Sequence, residues 1–141
     1  FLETTDNYLS STKKRMFIPP NNLSNEEDRY HIIAGEKKYH FVYPCAKSRD
    51  WYEKTGEERE NLVEENFMVG SKFRNIKIHL THAFEFSEKE FIVSFETDEP
   101  KDFLALAEEL SQTQSSKFSL RGMPIYTCRQ RSLADCLEAI G

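Results

Sequence analysis

Two short segments of alternating character, residues 76–84 and 90–96, constrain the fold of this chain more than any other feature. Apolar side chains alternate with polar or charged ones along these segments with a period of two, which is typical of β-strands that bury one face. The residues Ser87-Glu-Lys lie between the two segments and suit a turn. The pair therefore predicts a β-hairpin.

Segments of helical spacing flank this hairpin on both sides. Pro100 after the hairpin suits the first turn of a helix, which Phe103, Leu104, Ala107 and Leu110 continue at helical intervals. The segment before the hairpin starts near Glu57 and has the same spacing. Its stripe consists of Leu62, Val63, Asn66, Phe67, Gly70 and Phe73. Both segments predict amphipathic helices.

Short β-prone segments complete the pattern at both ends. Residues 39–43 are aromatic and β-branched and stop at Pro44, and residues 124–128 predict the last strand. A short helix follows from the N-cap-like Ser132 to Ile140. The core order β-α-β-β-α-β predicts an α+β fold of the ferredoxin-like type, an antiparallel sheet with both helices on one face.

Composition limits the size of the protein and the classes of partner. A chain of 141 residues suits one domain with a hydrophobic core. The net charge is -5 and the longest basic run is Lys13-Lys14-Arg15, which argues against nucleic acid as a partner. No apolar stretch approaches the roughly 20 residues that cross a bilayer. The three cysteines lack CxxC spacing, so we expect neither a zinc site nor a disulfide framework. We therefore expect the protein to be in a reducing compartment, the cytoplasm.

The N-terminal third of the chain divides into two parts. Residues 1–20 predict an exposed or edge strand that ends at Pro19-Pro20, and residues 21–38 are a polar linker. Residues 39–141 form the predicted ferredoxin-like domain. The chain begins with Phe1 rather than Met, so we expect the natural N-terminus upstream.

A series of motifs in the predicted domain resembles one known family. The motifs are Tyr43-Pro-Cys-Ala-Lys47, Arg49-Asp-Trp51-Tyr52, Glu57-Glu58-Arg59, the strand Phe91 to Asp98, and Ser116 to Pro124. Their order resembles the chlorite dismutase and coproheme decarboxylase family, of the dimeric α/β-barrel superfamily. The resemblance implies the second of two ferredoxin-like halves, with residues 1–20 as the last strand of an otherwise missing first half. It also implies haem or coprohaem as cofactor and assembly into a homo-oligomer.

Asn66 stands where the resemblance places the proximal histidine that binds haem iron. An asparagine amide is a poor iron ligand beside imidazole. Asn66 lies four residues after Leu62 and four before Gly70, so its side chain is expected to face the interior. Two interpretations remain open: a buried amide satisfied by backbone or water, or a contact to a bound porphyrin.

His79 stands thirteen residues later, where the resemblance places the distal residue, an arginine in the dismutases. Loss of the arginine argues against chlorite dismutase activity, in which a guanidinium would hold the oxyanion. His79 can serve as a general acid or base or as a replacement metal ligand, or it can be a strand histidine without chemistry. Lys77 shares its strand face and is a further candidate cofactor contact.

Tyr43, Lys47 and Trp51 complete the candidate site. By resemblance, Tyr43 matches a redox-active tyrosine of the decarboxylases, and Lys47 matches a lysine that assists with a propionate. The same Tyr-Pro-x-x-Lys sequence occurs in members that do not decarboxylate coprohaem, so a purely structural role is the alternative. Trp51 is either a cofactor contact or, as its large apolar area favours, a packing anchor.

Two functions from different classes fit these residues. The first is a haem- or porphyrin-binding oxidoreductase, peroxide-dependent rather than a true chlorite dismutase. The second is a member without haem that acts as an oligomeric binding or assembly module. Retention of Tyr43 and Lys47 favours the first function, and replacement of the proximal histidine by Asn66 favours the second.

Overall fold

A computed structural model describes residues 10–11, 36–83 and 91–141, with the side chains of residues 10, 11, 82 and 83 left out. The predicted turn at Ser87 and most of residues 1–35 lie outside this part. The strands are β1 (Ser10–Ser11), β2 (Tyr39–Cys45), β3 (Lys77–Ala83), β4 (Phe91–Thr97) and β5 (Tyr126–Arg129). The helices are α1 (Arg49–Tyr52), α2 (Gly56–Ser71), α3 (Pro100–Ser111) and α4 (Leu133–Ile140), with a 3₁₀ helix at Gln114–Phe118.

The strands form one antiparallel sheet in the order β1-β3-β4-β2-β5. The chain order β2-α2-β3-β4-α3-β5 matches the ferredoxin-like arrangement, which confirms the predicted fold class. Register is fixed across the centre of the sheet. Ile78 of β3 pairs with Phe95 of β4, and Phe95 pairs with Phe41 of β2.

The row Ile78, Phe95 and Phe41 lies on the face of the sheet that α3 covers. Phe103 of α3 stacks on Phe41 with ring centroids 3.9 Å apart, and its ring lies 5.3 Å from that of Phe95. Leu106, one turn later, is fully buried in the same cluster. The main hydrophobic core therefore lies between α3 and the middle of the sheet.

Local sequence signals fix the start of each long helix. Thr55 caps α2, since its hydroxyl accepts a hydrogen bond from Glu58 N while the Glu58 carboxylate accepts one from Thr55 N. Pro100 occupies the first turn of α3, where its missing N–H costs nothing. Ser132 caps α4 by accepting a hydrogen bond from Asp135 N. The predicted helices are thereby confirmed.

Strand β2 runs further than the sequence predicts. It was expected to stop at Pro44, yet it continues through Cys45, with Pro44 opposite Ile92. Strand β5 pairs with β2 only as far as Val42, so none of the described strands pairs with Pro44 on that side. Proline is tolerated in a strand where a donor is not needed. None of the helices in the described ranges is long and apolar enough to span a bilayer.

Candidate functional site

The two faces of the sheet differ in character. Odd-numbered residues of β2 and β4, such as Phe41 and Phe95, point to α2 and α3, and we call this the helix face. The residues between them point the other way and form the outer face. In β3 the helix face carries the even-numbered residues, because Ile78 pairs with Phe95.

The helix face is closed at one end and open at the other. At the closed end Gly70 of α2 lies so close to β3 that a Cβ there would be 2.9 Å from Ile78 Cδ1. One row further, Leu80, Val93 and Tyr43 stand in register across β3, β4 and β2. All three are only partly covered, and Leu80 is 37% exposed. The cover over this row is therefore less complete than over Phe41 and Phe95, and we call it the open row.

The spacing along α2 and β3 indicates where Asn66 lies. Gly70 lies against Ile78, and α2 and β3 run in opposite directions across the short connection at residues 72–76. Asn66 is one helical turn before Gly70 and Leu80 is two residues after Ile78, and each step covers about 6 Å. We therefore infer that Asn66 lies over Leu80, and we call the space between this turn of α2 and the row Leu80, Val93 and Tyr43 the wedge.

The amide oxygen of Asn66 is the most unusual atom of the wedge. Its Oδ1 is buried, and within the described part of the chain no donor lies in hydrogen-bond range. Buried acceptors in proteins are nearly always paired with protein or ordered water. The sequence-based expectation that Asn66 faces the interior agrees with this position. The wedge therefore contains an acceptor suited to a donor from outside this part of the chain.

Tyr43 supplies a phenol to the same wedge. Burial raises the pKa of the Tyr43 hydroxyl, and the neighbouring Cys45 thiol raises that pKa further. The phenol therefore stays protonated at neutral pH and can donate a hydrogen bond.

Lys47 has structural partners in this fold. Its Nζ donates to the backbone oxygen and the hydroxyl of Ser115, both at 3.1 Å, and to Ser119 Oγ at 3.0 Å. Since an ammonium has three protons, these three acceptors use all of its donors. Desolvation by burial lowers the pKa of the Lys47 ammonium. Lys47 therefore fastens the 3₁₀ helix to the end of β2.

Trp51 packs in the same region. Its side chain is buried, its ring lies 4.7 Å from Lys47 Nζ, and it meets the ring of Phe118 at 6.0 Å. The backbone also joins the two segments, with Ser48 N donating to Phe118 O at 2.7 Å. These contacts account for Trp51 as a packing anchor. Sequence reasoning missed Ser115 and Ser119, because nothing in their local pattern indicates a partner about seventy residues away.

The outer face holds a compact polar group. His79 is buried there, with Nε2 3.7 Å from the carboxylate of buried Glu96, and His40 Nδ1 lies 3.9 Å from the same carboxylate oxygen. Lys77 on this face forms an ion pair with Glu36. The alternation in β3 indicated that His79 and Lys77 share a face, but Glu96 was not singled out from the sequence.

The structure does not bring Asn66 and His79 together. Asn66 lies over the helix face, whereas His79 lies on the outer face, so the sheet separates them. The two described histidine side chains, those of His40 and His79, are both on the outer face. No set of three or more His, Cys, Asp or Glu residues in the described ranges is arranged to hold a metal ion.

Comparison with known proteins agrees with the geometry. The model of the chlorite dismutase family matches residues 1–131, which is most of the chain. The chain belongs to the chlorite dismutase family. A curated member, the coproheme decarboxylase of Mycolicibacterium smegmatis, is 28% identical over 107 residues, which cover 72% of this chain and 46% of that protein. The chain thus spans about half the length of this relative.

Solved chlorite dismutases have the same architecture. A mutant chlorite dismutase from Candidatus Nitrospira defluvii is 26% identical, with a TM-score of 0.68 over 76% of this chain and 46% of that one. Another mutant of the same protein superposes with a TM-score of 0.72 at 23% identity, over 91% of this chain and 55% of the other, which supports the fold alone.

A haem-type group, which the family implies, fits the described residues in part. The wedge offers apolar walls and two polar atoms, from Asn66 and Tyr43, to a flat, mostly apolar ligand. An iron bond does not fit, because residue 66, where the resemblance places the proximal histidine, carries an amide, and neither described imidazole faces the wedge. The residues therefore suit the macrocycle better than the metal.

Proposed function

We propose that this member of the chlorite dismutase family binds a haem-type tetrapyrrole, haem or coprohaem, in the wedge without a protein ligand to iron at residue 66. The buried amide oxygen of Asn66, which has no donor among the described residues, carries the proposal. Its position above the partly covered row of Leu80, Val93 and Tyr43 supports it. The relative named coproheme decarboxylase supports the ligand class.

In this proposal the residues of the wedge bind and orient the ligand. Leu80 and Val93 would contact one face of the macrocycle. On the other side, Asn66 Oδ1 would accept a hydrogen bond from a water molecule bound with the ligand, because neither the nitrogens of a metallated macrocycle nor ionised carboxylates have a proton to donate. Tyr43, kept protonated by burial, donates a hydrogen bond to a ligand carboxylate. The bound tetrapyrrole supplies redox chemistry through its iron, with peroxide as the oxidant class for an oxidoreductase. Lys47 shapes the wall of the site through the 3₁₀ helix.

Chlorite dismutase activity is not part of the proposal. The residue thirteen positions after Asn66 is His79 rather than arginine, and it lies on the outer face. A guanidinium that could hold an oxyanion is therefore missing from the position where the family resemblance places it.

The test is an absorption titration of the full-length protein with haem, with coprohaem and with iron-free coproporphyrin. Wild type is expected to give a saturable Soret change with all three ligands. Leu80→Glu, which places a charge in the wall of the wedge, is expected to weaken binding at least about tenfold. The matched control Leu104→Glu changes an exposed leucine of α3 and should leave binding unchanged.

The variant His79→Ala distinguishes a ligand bound in the wedge from a ligand bound on the outer face. With the ligand in the wedge, the titration of this variant should match that of wild type, because His79 is on the far side of the sheet. A Soret change that requires His79 would move the ligand to the outer face and overturn the proposal.

A second function, a haem-free oligomeric binding or assembly module, is favoured by two observations. Asn66 replaces the iron ligand, and all three protons of Lys47 are used within the chain, leaving none for a propionate. The absence of any saturable change with the three ligands would replace the tetrapyrrole proposal with this one. Self-association into a homo-oligomer is proposed in either case.

A further inference from the structure

The wedge combines a hydrogen-bond acceptor with an uncharged surface. Its open row consists of Leu80, Val93 and Tyr43, and burial keeps the Tyr43 phenol protonated and neutral by raising its pKa. Asn66, which we infer to lie over this row, adds the buried Oδ1, which has no donor among the described residues. A small molecule beside Asn66 therefore meets a neutral surface and the negative end of an amide dipole.

Several cationic or protonatable side chains of the described ranges are engaged or turned away from the wedge. Lys47 Nζ donates its three protons to acceptors within the chain. Lys77 and the imidazoles of His40 and His79 lie on the outer face, on the other side of the sheet. None of these groups can neutralise an anion in the wedge. An unpaired charge in an apolar, partly buried site is strongly unfavourable.

The turn of α2 that carries Asn66 is anchored on both sides. The neighbouring Glu65 carboxylate accepts a hydrogen bond from Gln114 N at 2.7 Å, across 49 residues of sequence. One turn later, Gly70 lies so close to the sheet that a Cβ there would be 2.9 Å from Ile78 Cδ1. The backbone at Asn66 is therefore held in place. A site built to accept a hydrogen bond in this way rejects analogues that lack the donor.

A small molecule that replaces the water proposed beside Asn66 has to supply a donor to the same oxygen. Displacing an ordered water by a group that cannot reproduce its hydrogen bonds lowers affinity. Anions such as azide and chlorite have no proton to donate, so they would leave Oδ1 unpaired and add an unpaired charge. A neutral molecule with a lone pair for the metal of a tetrapyrrole and an N–H or O–H for Asn66 avoids both losses.

We propose that Asn66 makes the wedge selective for neutral small molecules that carry an N–H or O–H donor, and against anions. The inference rests on the proposed tetrapyrrole binding, and it adds a second, small ligand and the residue that selects it. Asn66 accepts the hydrogen bond of this ligand, while Tyr43 donates to a carboxylate of the tetrapyrrole. The amide thus selects a metal ligand from solution, whereas a histidine at the same position would itself be the ligand.

The test compares imidazole with 1-methylimidazole, which differ in one proton donor. Each is titrated into the haem complex of the full-length protein, and the Soret shift gives its Kd. Both have a nitrogen lone pair for iron, but 1-methylimidazole has no N–H. Wild type is expected to bind imidazole at least about tenfold more tightly. The ligand 4-methylimidazole carries the same extra methyl group and keeps an N–H, so it should bind like imidazole.

Two variants locate the acceptor at residue 66. Asn66→Leu keeps the approximate size of the side chain but has no acceptor, so the preference for imidazole should fall to within about threefold. Asn66→Ala, which also lacks the acceptor and cannot overfill the wedge, should lose the preference to the same extent. Azide should bind both variants at least as tightly as wild type, because no oxygen is then left unpaired. Haem binding by each variant, measured first, shows that the site is retained.

Three outcomes would overturn the proposal. The first is an imidazole preference that is the same in wild type, Asn66→Leu and Asn66→Ala. The second is a preference that is lost in Tyr43→Phe instead, which would assign the contact to the phenol. The third is an azide affinity that falls in the Asn66 variants, since the amide would then support anions through its NH₂ group. Each leaves the Soret change with haem intact, whereas absence of that change would refute the tetrapyrrole proposal and this one together.

Discussion

Asn66 is the residue at which this chain departs most from the chemistry that its family implies. Its amide oxygen is buried, and the helical spacing of α2 directs the side chain toward the wedge. A different side chain at the same Cα would reach the same space. Imidazole binds haem iron far better than a carboxamide does. The change at this position therefore affects the iron bond separately from the shape of the site.

Asn66→His is predicted to create an iron bond. Haem should bind at least about tenfold more tightly than to wild type, while the affinity for iron-free coproporphyrin should stay within a few-fold. Resonance Raman or electron paramagnetic resonance spectra of the haem complex should acquire the signature of histidine ligation. Asn66→Gln is the control, since it keeps an amide. Equal gains for haem and for the iron-free ligand would contradict a metal bond.

Lys47 is predicted to contribute to stability through its three hydrogen bonds. Lys47→Met keeps most of the alkyl chain but leaves the Ser115 and Ser119 acceptors without their donor, at a cost of about 1–3 kcal/mol in the free energy of unfolding. Urea denaturation measures this difference. Lys54→Met, which removes only an ammonium 5.0 Å from the Phe118 ring, is expected to cost less than about 1 kcal/mol. Equal losses in the two variants would refute the role assigned to Lys47.

Residue-level features could be read from the sequence only where they depend on local periodicity. The helical spacing around Asn66 and the alternation around His79 indicated correctly which way each side chain points. Spacing alone could not reveal that the side chains of Asn66 and His79 lie on opposite sides of the sheet, because this depends on which face of the sheet α2 packs against. The partners of Lys47 were equally hidden, since they come from a distant segment.

At the scale of elements, the long periodic segments were predicted and the short irregular ones were not. The strands of the hairpin, α2, α3 and α4 all appear where the sequence placed them, because amphipathic periodicity and caps act locally. The 3₁₀ helix at Gln114–Phe118 has no periodic signal and is held by contacts to Lys47 and Ser48. Strand β2 continues through Pro44 by pairing with β4, whereas its pairing with β5 ends at Val42, and the local sequence does not indicate where that pairing ends.

Helix α2 is predicted to lose cap stability in acid. Hydrogen bonds from Thr55 lower the pKa of the Glu58 carboxyl below its ordinary value of 4.5. Because the folded pKa is the lower one, the contribution is present above pH 4.5 and is lost as the pH falls through the folded pKa. Thr55→Ala should cost about 1 kcal/mol at neutral pH.

The acid dependence gives the test of this cap. Thr55→Ala keeps the backbone N–H that donates to the Glu58 carboxylate, so the pH test uses Glu58→Ala, which removes the carboxylate itself. The stability difference between wild type and Glu58→Ala, measured by urea unfolding, should shrink as the pH is lowered below 4.5. The neighbouring variant Glu57→Gln removes an acidic side chain from the same first turn without touching the capping box, and it serves as the control. A difference that stays constant with pH would exclude the Glu58 carboxylate as its source.

At the scale of the whole molecule, the proposed ligand site lies over the row Leu80, Val93 and Tyr43 of strands β3, β4 and β2. These three strands are the centre of the described sheet. A ligand bound there is therefore expected to stabilise the folded state against global unfolding.

Thermal unfolding in the presence of coprohaem tests this expectation. A ligand that binds only the folded state stabilises it by about 2.7 kcal/mol at a free concentration of 100 times its Kd. At the same ligand concentration, the resulting rise in Tm should be about half as large in Leu80→Glu, whose affinity is expected to be about tenfold weaker, and unchanged in the control Leu104→Glu. Equal rises in the two variants would mean that the ligand binds outside the wedge.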